Sequence, residues 1–432
     1  MHFSRIAVPL ASAVFMTGAL AAPTAEPKAL HLPFEKRFNF HDQKRSAYNK
    51  RSYVVMPLSN NPVTSNYVAT LGVGTPPQPV KFGIDTGSSL TAVRDIVACG
   101  NPVCTNYYDP TASSTKETLS QTFAEYFADG SYIGGYWFKD SVSVGGVTLP
   151  HFEMLAVNAS SDPSASGGLI GLSPDPNLPS PIFPQSLKIN GLTSSDAFAV
   201  YLNDERSTYG SITFGGYDSN LKTGNFFVMP WNLAVTGLAI NDTSTNPTHH
   251  GYTSIPSASI PFSVALDTGT GGMNIPPDAW DKFADHFGIC ENDNPGVFCD
   301  LNGMTGYLNV ELGGGIVIKI DYQELITPVY DGSGGRWTEE RNGVQELWCQ
   351  WVINKGDYGG QFLAQSFLRN VYIIYDGARQ QIAIAQAKLN ATGTPSIVGI
   401  SDQGNNLLGQ ASITTVPISD ATGGPTTCVG HW

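Results

Sequence analysis

The stretch Phe82-Gly-Ile-Asp85-Thr-Gly-Ser88 recurs as Val264-Ala-Leu-Asp267-Thr-Gly-Thr270, so that the two aspartates lie 182 residues apart. Each copy is an apolar segment that runs into Asp-Thr-Gly and then into a residue with a hydroxyl group. A single Asp-Thr-Gly is best interpreted as a turn, with Asp as the turn residue. Two copies at matching places, separated by nearly half the chain, instead predict a duplicated half-chain and a function for the repeated carboxylates.

Two carboxylates that meet across a pseudo-twofold axis have a defined chemistry. Because like charges at short distance resist joint ionisation, Asp85 and Asp267 are expected to share one proton over a wide acidic range. One carboxylate then accepts a proton from water while the protonated one donates to a carbonyl oxygen, which activates water against an amide. We expect the hydroxyls of the fourth motif position to bond the outer carboxylate oxygens and the threonines to lock the two loops together. These supporting residues are Thr86, Gly87, Ser88, Thr268, Gly269 and Thr270.

Other hydrolytic chemistries lack their motifs in this sequence. There is no Gly-x-Ser-x-Gly, no His-Glu-x-x-His and no phosphate-binding loop. No pair of cysteines has the two-residue spacing of a zinc site. We therefore expect neither a metal site nor a cofactor.

Composition limits the fold and the partners. Only 14% of the residues are charged, and 46 glycines and 29 prolines are spread without a period, which favours many short strands joined by turns. The formal net charge of −13 argues against nucleic acid as a partner. Strand-like runs occur at residues 66–73, 80–84, 136–144, 316–320 and 371–375, and residues 277–287 have the periodicity of a packing helix.

The first 51 residues predict a secreted precursor. A short apolar stretch after Arg5 ends in small residues, which indicates a signal peptide over 1–21 and is too short for a membrane anchor. Three Lys-Arg pairs follow, and we expect a pro-segment over 22–51 that is cut after Arg51. The body then divides into an N-terminal lobe (52–230), a C-terminal lobe (231–388) and a partly ordered tail (389–432). We expect a secreted monomer.

Six cysteines in a secreted chain predict disulfides. Cys99 and Cys104 are close enough in sequence to close a small loop. The other four, Cys290, Cys299, Cys349 and Cys428, allow three connectivities. Three triplets have the form of N-glycosylation acceptors and begin at Asn158, Asn241 and Asn390.

From residue 66 to residue 388 the sequence resembles the pepsin-like aspartic proteases, particularly their secreted fungal members. The resemblance rests on both Asp-Thr-Gly motifs, the Cys99/Cys104 pair and four further segments, which are Gly74-Thr-Pro-Pro-Gln78, Gly168-Leu-Ile-Gly171-Leu, Gly210-Ser-Ile-Thr-Phe-Gly-Gly-Tyr-Asp218 and Phe367-Leu-Arg-Asn-Val-Tyr-Ile-Ile-Tyr-Asp376. It implies an all-β, bilobal fold with a central cleft. It also implies Asp85 and Asp267 as the catalytic dyad, protein or peptide substrates, and a disulfide between Cys299 and Cys349.

Three positions depart from the pattern of that family. Its flap carries Tyr-Gly-Asp-Gly-Ser, and the gapless alignment of residues 125–131 puts Phe127 at the Tyr position, with Asp129 and Gly130 following. A slip by one residue would use Tyr126 but would swap strand faces. Ala92 stands where the family has a Trp that bonds the flap Tyr, and Ala364 replaces a Gly that passes under the second catalytic loop.

Two functional classes follow from these observations. The leading hypothesis is an acid endopeptidase, whose apolar cleft would prefer bulky apolar side chains on both sides of the cut. The alternative is a pseudoenzyme that keeps the fold as a secreted peptide- or protein-binding module with an altered flap. The presence of both carboxylates argues against the alternative.

Overall fold

Short runs of β-branched and aromatic residues form strands throughout the chain, as the composition predicts. The computed structural model describes residues 30–36, 67–99, 106–126, 132–160, 167–175, 180–204, 207, 209–244, 251–289, 296–313, 315–331, 335–356, 360–410 and 412.

The first half of the chain contains twelve of the described strands and one short α-helix. The strands are β1 (Leu30–Lys36), β2 (Tyr67–Val73), β3 (Gln78–Asp85), β4 (Thr91–Arg94), β5 (Glu117–Tyr126), β6 (Tyr132–Val144), β7 (Val147–Ser160), β8 (Gly168–Gly171), β9 (Phe198–Tyr201), β10 (Gly210–Phe214), β11 (Gly216–Asp218) and β12 (Lys222–Pro230). Helix α1 is Phe183–Ile189, and 3₁₀ turns lie at Ile96–Cys99, Pro110–Ala112 and Ser219–Leu221.

The second half of the described chain is also built mainly from strands. They are β13 (Leu233–Asp242), β14 (Gly251–Ser254), β15 (Phe262–Leu266), β16 (Met273–Ile275), β17 (Gly296–Phe298), β18 (Gly306–Leu312), β19 (Ile316–Asp321), β20 (Ile326–Pro328), β21 (Thr338–Arg341), β22 (Val344–Trp351), β23 (Ile353–Lys355), β24 (Phe362–Leu363), β25 (Val371–Asp376), β26 (Gln381–Ala387) and β27 (Ile397–Gly399). Helices α2 and α3 are Pro277–Phe287 and Gln365–Leu368, and 3₁₀ turns lie at Leu301–Gly303, Tyr322–Leu325 and Leu407–Gly409.

Helix α2 has the bounds that its periodicity predicts. Pro277 opens it, a position where the missing N–H of proline costs nothing. Gly288 ends it in the left-handed conformation, with φ 64°. Between them Trp280, Phe283 and Phe287 are buried on one face, so the helix packs against the core of the second half.

The two halves repeat one strand arrangement around their Asp-Thr-Gly motifs. In the first half β3 pairs antiparallel with β2 and parallel with β8, which pairs antiparallel with β4, and β4 runs parallel to β7. In the second half β15, β13, β24, β16 and β23 occupy the same places with the same directions. The duplication inferred from the motifs is therefore present in the sheet topology, and each motif begins where a central strand ends.

Among the described residues, one sheet of thirteen strands joins the halves, in the order β12-β26-β25-β9-β10-β1-β2-β3-β8-β4-β7-β6-β5. Strands β25 and β26, from the segment assigned to the C-terminal lobe, lie between β9 and β12 of the N-terminal lobe. Strand β1, from the segment predicted as a pro-segment, lies between β10 and β2. An eight-stranded sheet forms most of the second half. The all-β fold with two related lobes agrees with the expectation from the sequence.

The described part of the predicted tail, residues 389–410 and 412, packs on the back of the joining sheet. Strand β27 pairs with β11, and Arg379 donates to the carbonyl of Ser401 at 2.7 Å. The side chains of Ile400 and Leu407 are buried in an apolar cluster on β9, β12, β25 and β26. Lys188 adds an ion pair to Asp402 at 2.7 Å. This segment therefore covers an apolar face of the sheet.

A disulfide joins Cys299 and Cys349, the pairing that the resemblance implies, and it closes a separation of 50 residues. Cys104, Cys290 and Cys428 lie outside the described residues, and only the backbone of Cys99 is described. No helix among the described residues is long and apolar enough to cross a membrane.

Candidate active site

The strand arrangement brings the two Asp-Thr-Gly loops face to face. Asp85 is the last residue of β3, and Asp267 follows the last residue of β15. Each loop is supported by the parallel neighbour of its strand, since Asp85 is opposite Gly171 and the Asp267 amide donates to the Leu363 carbonyl at 3.1 Å. Sheet hydrogen bonds therefore fix the backbone of both aspartates.

Thr86 and Thr268 lock the loops together through reciprocal hydrogen bonds. The Thr86 amide donates to Thr268 Oγ1 at 3.0 Å, and the Thr268 amide donates to Thr86 Oγ1 at 3.1 Å. Each hydroxyl then donates to a carbonyl of the opposite strand at 2.8 Å, Thr86 to Leu266 and Thr268 to Ile84. Both threonines are buried, so these four bonds hold the separation of the loops within a dry environment.

Each carboxylate accepts two hydrogen bonds from its own loop. Asp85 Oδ1 accepts from the Gly87 amide at 2.8 Å, and Asp85 Oδ2 accepts from the Ser88 hydroxyl. In the second loop, Asp267 Oδ1 accepts from the Gly269 amide at 2.7 Å and Asp267 Oδ2 from the Thr270 hydroxyl at 2.7 Å. The sequence predicted both hydroxyl contacts. The two Oδ1 atoms lie on the facing sides of the carboxylates, since a Cβ atom on Gly269 would be 2.8 Å from Asp85 Oδ1 and 3.1 Å from Asp267 Oδ1.

The two glycines permit this close approach. A Cβ on Gly87 would lie 2.8 Å from Asp267 Cγ, and a Cβ on Gly269 would lie 2.8 Å from Asp85 Oδ1. These contacts are shorter than any carbon atom tolerates, so a side chain at either position would push the carboxylates apart. The third motif position is therefore restricted to glycine by the dyad itself.

The surroundings of Asp85 let its carboxyl group keep a proton at acidic pH. Burial raises the pKa of Asp85 to about 6, and the negative charge of Asp267 and a hydrogen bond to that carboxyl act in the same direction. The Ser88 hydroxyl and the Gly87 amide favour the charged form and partly offset this rise. At acidic pH the pair therefore contains both a proton donor and a carboxylate, which is the requirement for activating water by general acid–base catalysis.

The base of the flap differs from the family pattern at Ala92. Ala92 of β4 and Trp137 of β6 are both buried in one apolar cluster, on strands that are separated by β7 and pair with the same residue of it, Leu155. Trp137 also lies against Phe123 of β5, with ring centroids 5.5 Å apart. The cluster beside Ala92 therefore contains a large ring from β6. The sequence reasoning missed Trp137, because its membership of this cluster depends on the pairing of the strands.

Tyr126 is the one predicted flap residue with a described side chain. It is 74% exposed and stacks on Tyr132 across the hairpin, with centroids 5.6 Å apart. It lies three positions from Phe123, so the two side chains point to opposite faces of the strand. Tyr126 therefore faces away from the flap-base cluster, and Phe127, Asp129 and Gly130 lie outside the described residues.

The second loop is supported from below by the segment after β24. Ala364 is fully buried in extended backbone, with φ −100° and ψ −157°, so the fold accommodates its methyl group. Gln365, which the sequence reasoning missed, is also fully buried and donates from Nε2 to the Thr268 carbonyl at 2.9 Å. The backbone N–H of Gln365 donates to the Thr270 carbonyl at 3.1 Å. Gln365 therefore bonds the second catalytic loop at both Thr268 and Thr270.

The remaining predicted sites lie away from the dyad. Asn158 and Asn390 are exposed, and Asn241 is half-buried in β13. Within the described ranges, no three His, Cys, Asp or Glu side chains are grouped so as to hold a metal ion.

Comparison with known proteins connects this geometry to a family. The family model described as eukaryotic aspartyl protease matches residues 66–387. The chain is 27% identical over 356 residues to the probable aspartic-type endopeptidase opsB of Aspergillus oryzae, covering 76% of this chain and 69% of the relative. It is 27% identical to secreted aspartic protease 3 of Candida albicans, with coverages of 78% and 83%. Candidapepsin of Candida tropicalis is 28% identical over 410 residues, which cover 90% of this chain and 96% of the relative.

Proposed function

The chain belongs to the eukaryotic aspartyl protease family and is an aspartic-type endopeptidase, and we propose that it is secreted and cleaves internal peptide bonds of proteins at acidic pH through Asp85 and Asp267. The observation that supports this most directly is the face-to-face placement of the two Asp-Thr-Gly loops, which Thr86 and Thr268 hold together through reciprocal hydrogen bonds of 3.0 and 3.1 Å. Burial and the neighbouring charge of Asp267 raise the pKa of Asp85 to about 6 in this arrangement. A protein that only binds peptides would not need two carboxyl groups held close together against the repulsion of their charges.

The reaction follows from the protonation states of the dyad. Asp267 accepts a proton from a water molecule, whose oxygen attacks the carbonyl carbon of the substrate. Asp85 donates its proton to the carbonyl oxygen, which gives a neutral tetrahedral intermediate. Asp267 then donates the proton it took from water to the amide nitrogen, while one hydroxyl of the intermediate returns its proton to Asp85, so the C–N bond breaks to give a carboxylic acid and an amine. The dyad is again singly protonated, with the proton on Asp85.

The pH range follows from the direction of the pKa shift. Asp85 must be protonated to donate, and its pKa of about 6 sets the upper end of the active range. Above this value, kcat/KM should fall about tenfold for each pH unit, because the fraction of the protonated dyad falls by that factor. Activity is therefore expected to be highest in acid.

Secretion as a precursor is the second part of the proposal. It is supported by the apolar N-terminal stretch, the three Lys-Arg pairs before residue 52 and the name of the relative secreted aspartic protease 3. Expression of the full chain in a secreting host should give a protein in the medium that begins at Ser52. Retention of the protein inside the cells would contradict secretion, and a different N-terminus would contradict cleavage after Arg51.

The test of the catalytic assignment uses two substitutions and a matched control. Asp85→Asn and Asp267→Asn should each lower the cleavage of an acid-denatured protein at about pH 4 by at least about a hundredfold, because each removes one proton-transfer group. Asp285→Asn changes a residue at an exposed position of α2 that pairs with Lys282 at 3.7 Å, and it should cleave like the unmodified protein. Retained cleavage by either dyad variant would overturn the assignment. Peptide binding without any cleavage by the processed, unmodified protein would favour the binding-module alternative.

A further inference from the structure

One face of the second-half sheet carries a row of three side chains far from the dyad in sequence. Asn241 of β13 is directly opposite Tyr252 of β14 on one side and Tyr307 of β18 on the other. Residues that are directly opposite share one face of a sheet, with their Cβ atoms about 4.5–5.5 Å apart. Asn241 therefore lies between two tyrosines, and it is also the first residue of the acceptor triplet Asn241-Asp-Thr243.

This row lies on the solvent side of the sheet. Ile240 and Asp242, the neighbours of Asn241 along β13, are buried, so the Asn241 side chain is on the opposite face. Tyr252 is 69% exposed. It belongs to β14, which pairs only with β13 among the described strands and whose four residues are all exposed. A group attached to Asn241 is consequently within reach of an exposed aromatic ring.

The two rings differ in how much of their surface is open to a ligand. The Lys319 ammonium lies over the Tyr307 ring, 6.0 Å from its centroid, and Tyr307 is half-buried. Tyr252 is therefore the more open of the two. A single exposed tyrosine is ordinary on a protein surface, but the register places this one opposite an asparagine that can accept a sugar. One face of a sugar ring consists mainly of C–H groups, which pack on an apolar ring such as that of tyrosine.

The other two acceptor triplets do not share this arrangement within the described structure. Asn158 lies at the register shift between β6 and β7, where no residue of β6 is paired directly with it. Asn390 follows β26 in a turn, in the left-handed conformation with φ 51°. Of the three positions, Asn241 is thus the one where the sheet register supplies an aromatic surface beside the attachment point.

We propose that Asn241 carries an N-linked glycan whose first sugar packs on the Tyr252 ring and holds the edge strand β14 against β13. The inference rests on the secretion proposed above, because the sugar donor is a lipid-linked oligosaccharide of the secretory route. Nδ2 of Asn241 forms a bond to C1 of the donor, the bond from C1 to the lipid pyrophosphate breaks, and the amide proton is released. Transfer takes place on the extended chain before the sheet forms, so the position of Asn241 within a strand does not prevent it.

The glycan protects a part of the sheet that has little other cover. An edge strand presents unpaired N–H and C=O groups that can recruit strands of other chains. A sugar on Tyr252 covers the exposed side of β14 and carries hydroxyl groups into the water beside it. The modification thus restrains the edge strand and blocks its pairing with another molecule.

The first experiment determines whether Asn241 is modified. The full chain is expressed in a secreting host, and the peptide that contains Asn241 is examined by mass spectrometry before and after enzymatic release of N-glycans. It should carry a glycan in the unmodified protein and in Thr243→Ser, which keeps the hydroxyl of the triplet, and should be bare in Thr243→Ala. A secreted protein with a bare Asn241 overturns the inference and leaves secretion standing. Retention inside the cells with a bare Asn241 overturns both.

The second experiment determines whether the sugar packs on Tyr252, through hydrogen exchange of the β14 amides. Asn241→Gln removes the glycan, and exchange should become about fivefold faster, the effect of losing one ring contact. Tyr252→Thr keeps the glycan and a residue that favours strands, and it should give the same increase. The double variant should be no faster than either single variant, because both remove one and the same contact.

A trimmed glycoform is the matched control for the rest of the glycan. An endoglycosidase that leaves only the first sugar on Asn241 should leave the exchange of β14 unchanged, because that sugar makes the contact. The inference is overturned if Asn241→Gln does not change the exchange, if the effects of Asn241→Gln and Tyr252→Thr add, or if trimming alone gives the full increase.

Discussion

The hydrogen bond from Ser88 to Asp85 offers a direct way to shift the pH range of the dyad. The hydroxyl donates to Asp85 Oδ2 and favours the charged carboxylate, so it holds the pKa below the value that burial alone would give. Ser88→Ala removes this donor and leaves the Gly87 amide in place. The pKa of Asp85 should therefore rise above about 6, and the alkaline limit of activity should rise with it.

The size of the shift follows from the energy of a hydrogen bond to a charged group, about 1.5–3 kcal/mol. One pKa unit corresponds to about 1.4 kcal/mol. Ser88 is only half-buried, so water replaces part of the lost bond, and the expected shift is about one unit. The alkaline half-point of kcat/KM should move from about pH 6 to about pH 7.

The assay is the pH profile of kcat/KM between pH 3 and pH 8 on one peptide substrate. Ser88→Thr is the matched control, since it keeps the hydroxyl and should keep the half-point near pH 6. A half-point that stays unchanged or moves to lower pH in Ser88→Ala would refute the assigned role of this bond.

The same pKa shift makes the stability of the folded protein depend on pH. The folded-state pKa of Asp85 is about 6, above the ordinary value of 3.8, so between these values the unfolded chain has already lost a proton that the folded chain keeps. Stability from this group is complete below pH 3.8 and falls as the pH rises to about 6, by about 3 kcal/mol. Ser88→Ala should widen this range toward neutral pH.

Three further predictions concern the scaffold and are measured by urea unfolding. Gly171→Ala should lower the free energy of unfolding by about 3 kcal/mol or more, since the new methyl group would lie 2.3 Å from the Ser89 backbone. The corresponding change in the second half, Ala364→Gly, should lower it by about 1 kcal/mol. Equal losses would contradict this difference between the halves. Replacing Cys299 and Cys349 together by serine should cost about 4 kcal/mol, because 50 residues separate them, and no loss would contradict the chain-entropy argument. Truncation after Lys388 should cost about 3–6 kcal/mol through exposure of the apolar face under the tail, and an unchanged midpoint would show that the tail is dispensable.

The sequence predicted the parts of the site whose geometry is set within a few residues. The hydroxyl contacts of Ser88 and Thr270 depend only on the turn that Asp-Thr-Gly makes, and the two copies of the motif place them symmetrically. Helix α2 was predicted with its bounds because an amphipathic face, a proline and a glycine all lie in one short segment.

Features that depend on distant partners were not evident from the sequence. Ile400 and Leu407 are isolated apolar residues in a polar run, and their burial requires the face of a sheet built from both halves. The cluster that contains both Trp137 and Ala92 depends on the pairing of β6 with β7 and of β7 with β4. A pocket of about 330 Å³ beside Gly87 arises because Ser263 and Ala265 on one face of β15 are small. The sequence does not predict it, because its other wall includes Trp231, which lies outside that strand.

Strand β1 separates two events in maturation. It is bonded to β10 through residues 30–34 and to β2 through residues 35–36, and it belongs to the segment that we propose is cut away after Arg51. Hydrolysis of one peptide bond leaves both ladders intact, so cleavage and departure have separate rates. When the strand leaves, two strand edges within the joining sheet become unpaired together, and unpaired edges recruit other strands. If the segment is cut away as proposed, its departure leaves a gap one strand wide between β10 and β2 in the sheet that joins the halves.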